Sequence, residues 1–192
     1  MNAENVTELY LRLLNQGVQL WVDGGWGIDA LLGRQTRPHK DLDALVQWDD
    51  LAPLTDILAG EGFQLKEIWT ESRWASHPLP LQLIAQECGG ENAFATAFVL
   101  KDERGRELDF HVLHFDEHGQ GIPQWQTDFI YPAEALEAVG RIGNTDVKCL
   151  SAAMQMQTHT GYPLQDKDLE DLRQLHERFG LSYPPEIAHY FR

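Results

Sequence analysis

Cysteine is nearly absent: Cys88 and Cys149 are the only two in 192 residues. Two thiols cannot form a disulfide framework or a zinc cluster, so the reducing cytoplasm is the expected compartment. Positive charge is also scarce. Fifteen Lys and Arg stand against thirty Asp and Glu, a formal net charge of −15. That balance argues against nucleic acid as a partner, because such binding relies on Lys and Arg to displace counterions, and it favours a cationic small molecule. No apolar run approaches the ~20 residues of a membrane span. Asn2 to Val6 is too polar for a signal peptide, so neither membrane nor secretion is expected. Internal repeats and low-complexity tracts are missing as well. What remains is 43% hydrophobic, enough for one domain or one domain with a helical appendage.

The pattern is α/β (α+β), a small mixed sheet with flanking helices. Val6, Leu9, Tyr10, Leu13 and Leu14 have helical spacing, followed by a strand over Val18 to Val22. A short helix is expected from Trp26 to Leu32, ending at Gly33, and a second strand from Asp41 to Val46. Asp49 is placed to cap a helix carrying Leu51, Leu54, Ile57 and Leu58. Phe63 to Trp69 reads as strand, and Ala95 to Lys101 with Glu107 to Phe115 as a hairpin. Gln82 to Ala93 reads as a polar loop over the site. After Pro132 the pattern turns helical, with helices over Ala152 to Thr158 and Lys167 to Phe179 and a short one after Pro184-Pro185. The expected division is 1–143, carrying the chemistry, and 144–192, a C-terminal helical region.

The chemistry is concentrated in Val22-Asp23-Gly24-Gly25-Trp26 and Lys40-Asp41-Leu42-Asp43. Gly24 and Gly25 after a strand let the backbone approach a phosphate, and the helix behind them aims its N-terminal N–H groups at that anion. Asp41 and Asp43 lie two residues apart on a strand, so both carboxylates leave one face. Alternation in Glu107-Leu108-Asp109-Phe110-His111-Val112 puts Asp109 and His111 together on one face of what reads as a sheet edge. Three aspartates on adjacent strands can share two Mg2+ ions with a nucleotide's phosphates. One ion would orient the triphosphate; the other would acidify a substrate hydroxyl whose proton Asp109 accepts. Arg34, Arg37 and Lys40 can neutralise the triphosphate, and Lys167 can reach it from the C-terminal helices. His111 can touch nucleotide or substrate. Trp26, Trp74, Trp125 and Tyr162 can line an acceptor pocket; Trp48, Trp69, Met154 and Met156 read as packing. His111 and His114 face opposite sides of a strand, which argues against zinc.

Each signal has a plainer alternative. Gly24-Gly25 alone fits a tight turn, the charged residues fit ordinary surface, and Asp168 and Asp171 equally fit a helix cap or brace. Gly25-Trp26-Gly27-Ile28-Asp29-Ala30 also fits the Gly-x-Gly-x-x-Ala dinucleotide fingerprint, with Asp43 near the ribose-binding distance. The chain is short for the two halves of that fold, and a dinucleotide site has no need of Asp109.

The residues Trp21 to Ala30, Leu32-Gly33-Arg34, Thr36-Arg37, His39-Lys40-Asp41-Leu42-Asp43, Ser72-Arg73 and Leu108-Asp109-Phe110-His111 resemble the small antibiotic nucleotidyltransferases, lincosamide and aminoglycoside 2″. His159-x-Gly161-Tyr162 and Lys167-Asp168-x-x-Asp171 extend the resemblance over most of the chain. It implies AMP transfer from ATP to a hydroxyl of a small antibiotic, with Asp41, Asp43 and Asp109 at the metal and base positions. Arg73 after Ser72 is more similar to the lincosamide branch and is implied at the nucleotide. Pro78 to Phe94 and His114 to His118 have no counterpart in that pattern. A macromolecular acceptor, as in toxin-like nucleotidyltransferases, and a non-catalytic nucleotide-binding module are the other readings; oligomeric state is left open.

Overall fold

The computed structural model describes residues 1–70, 73–76, 79–88, 95–123 and 129–192. Helix α1 (Ala3–Asn15) buries Val6, Leu9, Tyr10 and Leu13 on one face, and the Asn2 side chain caps it by accepting from Asn5 N at 2.8 Å. Strand β1 (Leu20–Asp23) runs straight into α2 (Gly24–Leu32), with Asp23 as the N-cap. The paired glycines are therefore the first turn of the helix, two residues earlier than the sequence suggested, because Asp23 caps Gly24 directly. Strand β2 (Asp41–Gln47) follows. The capping role expected of Asp49 is not seen: a 3-10 turn over Trp48–Asp50 precedes α3 (Leu51–Gly60), and Asp50 Oδ2 instead accepts from Gln19 N at 2.9 Å.

Among the described residues, strands β3 (Gln64–Thr70), β4 (Arg73–Ala75), β5 (Ala95–Lys101), β6 (Glu107–Phe115) and β7 (Gly121–Pro123) complete a seven-stranded mixed sheet. Its order is β1-β2-β6-β5-β3-β4, with β7 on the far end of β6 and β2–β6 as the parallel pair. Strand β6 is therefore central, not an edge. The reason is its Leu108, Phe110 and Val112 on one side and Leu113 on the other, all buried, a pattern that needs cover on both faces.

One face of the sheet packs Leu42, Ala44, Phe98, Leu108 and Phe110 against α1 and α3. Helix α4 (Ile84–Cys88) belongs to this same side, burying Ile84 and Cys88 in that core. The polar loop expected over Gln82 to Ala93 is thus helical up to Cys88 and sits away from the aspartates, since Leu81, Ile84 and Cys88 have a core to join; residues 89–93 lie outside the described residues. The opposite face packs Trp21, Leu45 and Leu113 against Tyr131, Leu136, Leu150 and Met154.

Helical structure after Pro132 is delayed. A short 3-10 turn at Ala133–Leu136 leads into a hairpin, β8 (Val139–Ile142) and β9 (Thr145–Lys148), whose turn holds the expected 143/144 division. Gly140 explains the hairpin's seat: a Cβ there would stand 2.5 Å from the carbonyl carbon of Ala30 in α2. Helices α5 (Ala152–Thr158) and α6 (Asp166–Phe179) then pack Met156, Leu172 and Leu175 on Ile28 of α2. No helix among the described residues is long and apolar enough to cross a membrane. Because the Gly140 contact is with backbone, Gly140→Ala is expected to cost roughly 1–3 kcal/mol, a value typical of overpacking, measured as a lowered urea midpoint with unchanged slope.

Candidate active site

Strand register builds the site. Asp23 of β1 is opposite Asp43 of β2, and Asp43 is opposite Asp109 of β6, so three carboxylates form one row across three neighbouring strands. Asp41 lies on the same face, one pleat along β2, opposite Glu107. Gly24 adopts φ +55°, and a Cβ there would collide with the Asp43 carboxylate. The first glycine is thus needed for the helix to start against the row.

Concentrated negative charge shows in the protonation equilibria. Burial, then the charges of Asp109, Asp41 and Asp23, hold the Asp43 carboxyl well above its usual range, opposed by Lys167. Burial likewise raises Asp109, with His111 opposing and Asp41, Asp23 and Glu67 adding to the rise. Asp109 Oδ1 is buried without a hydrogen-bond partner, and His111 Nε2 is 3.8 Å from it.

Hard oxygen donors, an orphaned carboxylate oxygen and mutually raised acids fit a hard cation. Among the described residues, however, no three His, Cys, Asp or Glu side chains already form a complete ligand cage. A cation here would draw part of its shell from phosphate and water, as magnesium commonly does.

Two cavities meet at this row. The smaller, about 220 Å³, is polar and lined by Gly24, Gly25, Arg37, Asp41, His159 and Lys167, among others. The larger, about 920 Å³, is walled by Trp69, Trp74, Phe129, Tyr131 and Pro123. Asp23, Asp43, His111, Thr158 and Tyr162 line both.

Of the residues singled out in the sequence, Asp41, Asp43, Asp109, Gly24, Gly25, Arg37, Lys167, His111, Trp74 and Tyr162 thus converge on the row and its two cavities. Burial disfavours the Arg37 charge, but hydrogen bonds from Arg37 to Asp171 and the charge of Asp171 outweigh it and raise its pKa. Lys40 is directed elsewhere. It pairs with Glu107 at 2.8 Å, alongside Lys101 at 3.0 Å and Lys66 at 3.1 Å, and these lysines, Lys40 foremost, hold the Glu107 carboxyl down to about 2. The cause is alternation: Arg37, His39, Asp41 and Asp43 turn inward while Pro38 and Lys40 are exposed. Arg73 lies exposed on β4 and lines neither cavity, although its neighbour Trp74 does. Arg34 hydrogen-bonds Gln174 at 3.0 Å. Trp26 is core, 1% exposed, and Trp125 and Ser72 lie outside the described residues. Asp168 accepts from Gln165 N at 2.8 Å, a cap, while Asp171 braces Arg37, and both also line the smaller cavity.

Sequence reasoning missed several lining residues, Pro123, Phe129, Tyr131 and Thr158 among them, none of which carried a local signal; Trp69 and Asp23 did. Trp69, read as packing, forms a cavity wall edge-on to Trp74, with ring centroids 5.4 Å apart. Asp23 was read only as part of the turn, though its alternation with Trp21 was a signal for the shared face.

Comparisons with known proteins bear on the family and the fold. A family model described as aminoglycoside-2''-adenylyltransferase matches residues 5–88 and 83–175. A lincosamide resistance protein from Staphylococcus haemolyticus is 25% identical over 183 residues, covering 91% of this chain and 98% of the relative. A 2''-aminoglycoside nucleotidyltransferase from Escherichia coli is 40% identical over 48 residues, covering 23% of this chain and 27% of the relative. Among solved structures, the lincomycin-bound lincosamide antibiotic adenylyltransferase LnuA superposes with TM-score 0.67 at 21% identity, covering 90% of this chain and 94% of its own. ANT(2'')-Ia in complex with adenylyl-2''-tobramycin gives TM-score 0.61 at 19% identity, over 93% and 89% of the two chains. At these identities the structural likeness establishes the fold, a nucleotidyltransferase-type mixed sheet flanked by helices.

The raised carboxyls dictate a pH effect. Asp43 and Asp109 bind protons more tightly folded than unfolded, where an aspartate titrates near ~3.9. Their ionisation therefore destabilises the fold above the raised folded pKa values, and that cost is relieved as pH falls through them. In a chelator, Asp43→Asn is expected to raise Tm at neutral pH, the gain shrinking as the buffer is acidified; a lowered Tm at neutral pH would contradict this.

Proposed function

The chain belongs to the aminoglycoside-2''-adenylyltransferase family and is a nucleotidyltransferase, and on that premise we propose that it transfers AMP from ATP, with magnesium, to a hydroxyl of a small cationic antibiotic. The observation that supports this most is the meeting of a polar and an aromatic cavity at one row of aspartates. In this reading residues 1–143 carry the carboxylates, and 144–192 close the site with Tyr162 and Lys167.

The polar cavity takes the triphosphate, with Arg37 and Lys167 on its oxygens and Gly24 and Gly25 clearing the approach of the backbone. Asp41, Asp43 and Asp109 are the residues that would hold magnesium, which supplies charge neutralisation to the triphosphate and the departing pyrophosphate. The aromatic cavity holds the acceptor with its hydroxyl at the row. Asp109 Oδ1, left without a hydrogen bond and raised in pKa, takes the hydroxyl proton, and His111 beside it orients the acceptor. The acceptor oxygen forms a bond to the α-phosphorus as the bond to pyrophosphate breaks in line, giving adenylylated antibiotic and pyrophosphate.

The aromatic cavity also bears on which antibiotic. Its acidic lining among the described residues is Asp23 and Asp43, while Trp69, Trp74, Phe129 and Tyr131 supply apolar wall. A polycationic aminoglycoside would need more carboxylates than this. An amphiphilic lincosamide with a single basic amine suits the wall and the acids together.

With MgATP and a lincosamide, the product is expected to be heavier by one AMP unit in mass spectrometry. Asp109→Asn is expected to lower kcat by about 10² to 10⁴, the range typical of a general base. Trp74→Ala should raise KM for the acceptor and leave KM for ATP unchanged. Absence of any AMP adduct across lincosamides and aminoglycosides would refute the reading.

A further inference from the structure

A chain of side chains runs from the helix behind the polar cavity onto its wall: Asp29 lies behind, and His39, Arg37 and Asp171 line the cavity. Asp29 of α2 is 2% exposed. Its Oδ1 accepts from Thr36 N at 3.0 Å and from Thr36 Oγ1 at 2.6 Å, and its Oδ2 accepts from His39 Nε2. The other imidazole nitrogen, Nδ1, faces Arg37 Nη1 at 3.0 Å. Arginine only donates, so Nδ1 must be an acceptor and His39 is assigned as the neutral Nε2–H tautomer. Arg37 continues the chain to α6, donating from Nη2 to Asp171 Oδ2 at 2.6 Å and from Nε to Asp171 Oδ1 at 3.3 Å.

A guanidinium has five N–H groups. Three are committed to His39 and Asp171, which leaves one on each terminal nitrogen. Their surroundings are equally fixed. The His39 ring is tilted against the buried Trp26 ring, centroids 4.7 Å apart. A Cβ at Gly25 would collide with the His39 ring and stand 2.9 Å from Arg37 Nη2. The second glycine is therefore demanded by the Arg37–His39 pair, whatever it does for a phosphate.

We propose that Asp29 and His39 are positioning residues for Arg37, fixing one edge of the guanidinium so that its remaining donors face the triphosphate. This rests on the reading of the polar cavity as the nucleotide site. Asp29 sets the tautomer of His39; the tautomer gives Arg37 an acceptor; Asp171 fixes the other edge of the fork and ties α6, with Lys167, to the same anion. Arg37 is the residue assigned to the nucleotide; Asp29 does not line the cavity, and His39, on its wall, acts through the orientation of Arg37.

Asp29→Asn is the sharpest test, because asparagine keeps the size yet cannot accept on both sides. Either Thr36 loses an acceptor or His39 turns to the Nδ1–H tautomer and presents a donor to Arg37. The expected result is a rise of about tenfold or more in KM for ATP, with KM for the acceptor unchanged and circular dichroism like that of the unsubstituted chain. His39→Gln, which retains an acceptor beside a donor, should be impaired less than His39→Phe. In an Arg37→Lys background, where the fork is already lost, substituting His39 should change KM for ATP no further. If the unsubstituted chain shows saturable ATP-dependent transfer but Asp29→Asn and His39→Phe keep its KM for ATP within twofold, the positioning role is wrong. So it is if the effects of Arg37→Lys and His39→Phe simply add. If the unsubstituted chain uses no nucleotide, the reading of the cavity fails first, and the proposal with it.

Discussion

Mutual repulsion among aspartates held shoulder to shoulder is the constraint that organises this molecule. Free side chains would separate; those of Asp23, Asp43 and Asp109 cannot, because each is opposite the next in the register of β1, β2 and β6. The central sheet, buried on both faces, supplies the rigidity that keeps them close. Burial of the row raises the carboxyl pKa values at Asp43 and Asp109, so the fold carries a destabilising charge cluster that a cation held together with a triphosphate would relieve. Such a trade of stability for chemistry is common at sites that must bind charge.

The remainder of the fold is arranged around that row. Helix α2 starts immediately at Asp23, with Gly24 pressed on Asp43, so an N-terminal helix end is next to the carboxylates. The hairpin β8–β9 seats itself on α2 through Gly140, and α5 and α6 follow it onto α2 at Ile28. That brings Lys167 and Tyr162 from far along the chain to residues of β1 and β2. Two cavities of different character then open on one edge of charge. Their difference, densely charged and polar on one side and aromatic on the other, is the physical basis for separate donor and acceptor positions in the proposed reaction.

Much of this was legible in the sequence because a period of two carries face information. Asp41 with Asp43, and Asp109 with His111, could each be placed on one shared face from alternation alone, and the strands Ala95 to Lys101 and Glu107 to Phe115 have the bounds the pattern implied. The same rule, extended backwards from Asp41 through His39 to Arg37, separates Arg37 from Lys40; extended from Trp21, it puts Asp23 with the other acids. What alternation could not give is pairing order. Nothing local says that β6 lies beside β2, a pairing of distant segments. The β8–β9 hairpin, by contrast, carried a local signal, the two-residue Gly143-Asn144 turn, and Trp69 meets Trp74 across neighbouring strands β3 and β4. Helix α4 shows the opposite failure: a polar composition concealed Leu81, Ile84 and Cys88, three apolar residues at helical spacing that were enough to seat it in the core.

The central claim is that the aspartate row receives a cation and a nucleoside triphosphate together. Thermal unfolding with magnesium alone, a non-hydrolysable ATP analogue alone, and both, in the unsubstituted chain and in Asp41→Asn, tests it most directly. The account predicts a clear rise in Tm with both ligands, corresponding to about 2.7 kcal/mol when the ligand is at a hundred times its Kd, little with either alone, and loss of the rise in Asp41→Asn. A rise that needs no magnesium, or that survives in Asp41→Asn, would contradict it.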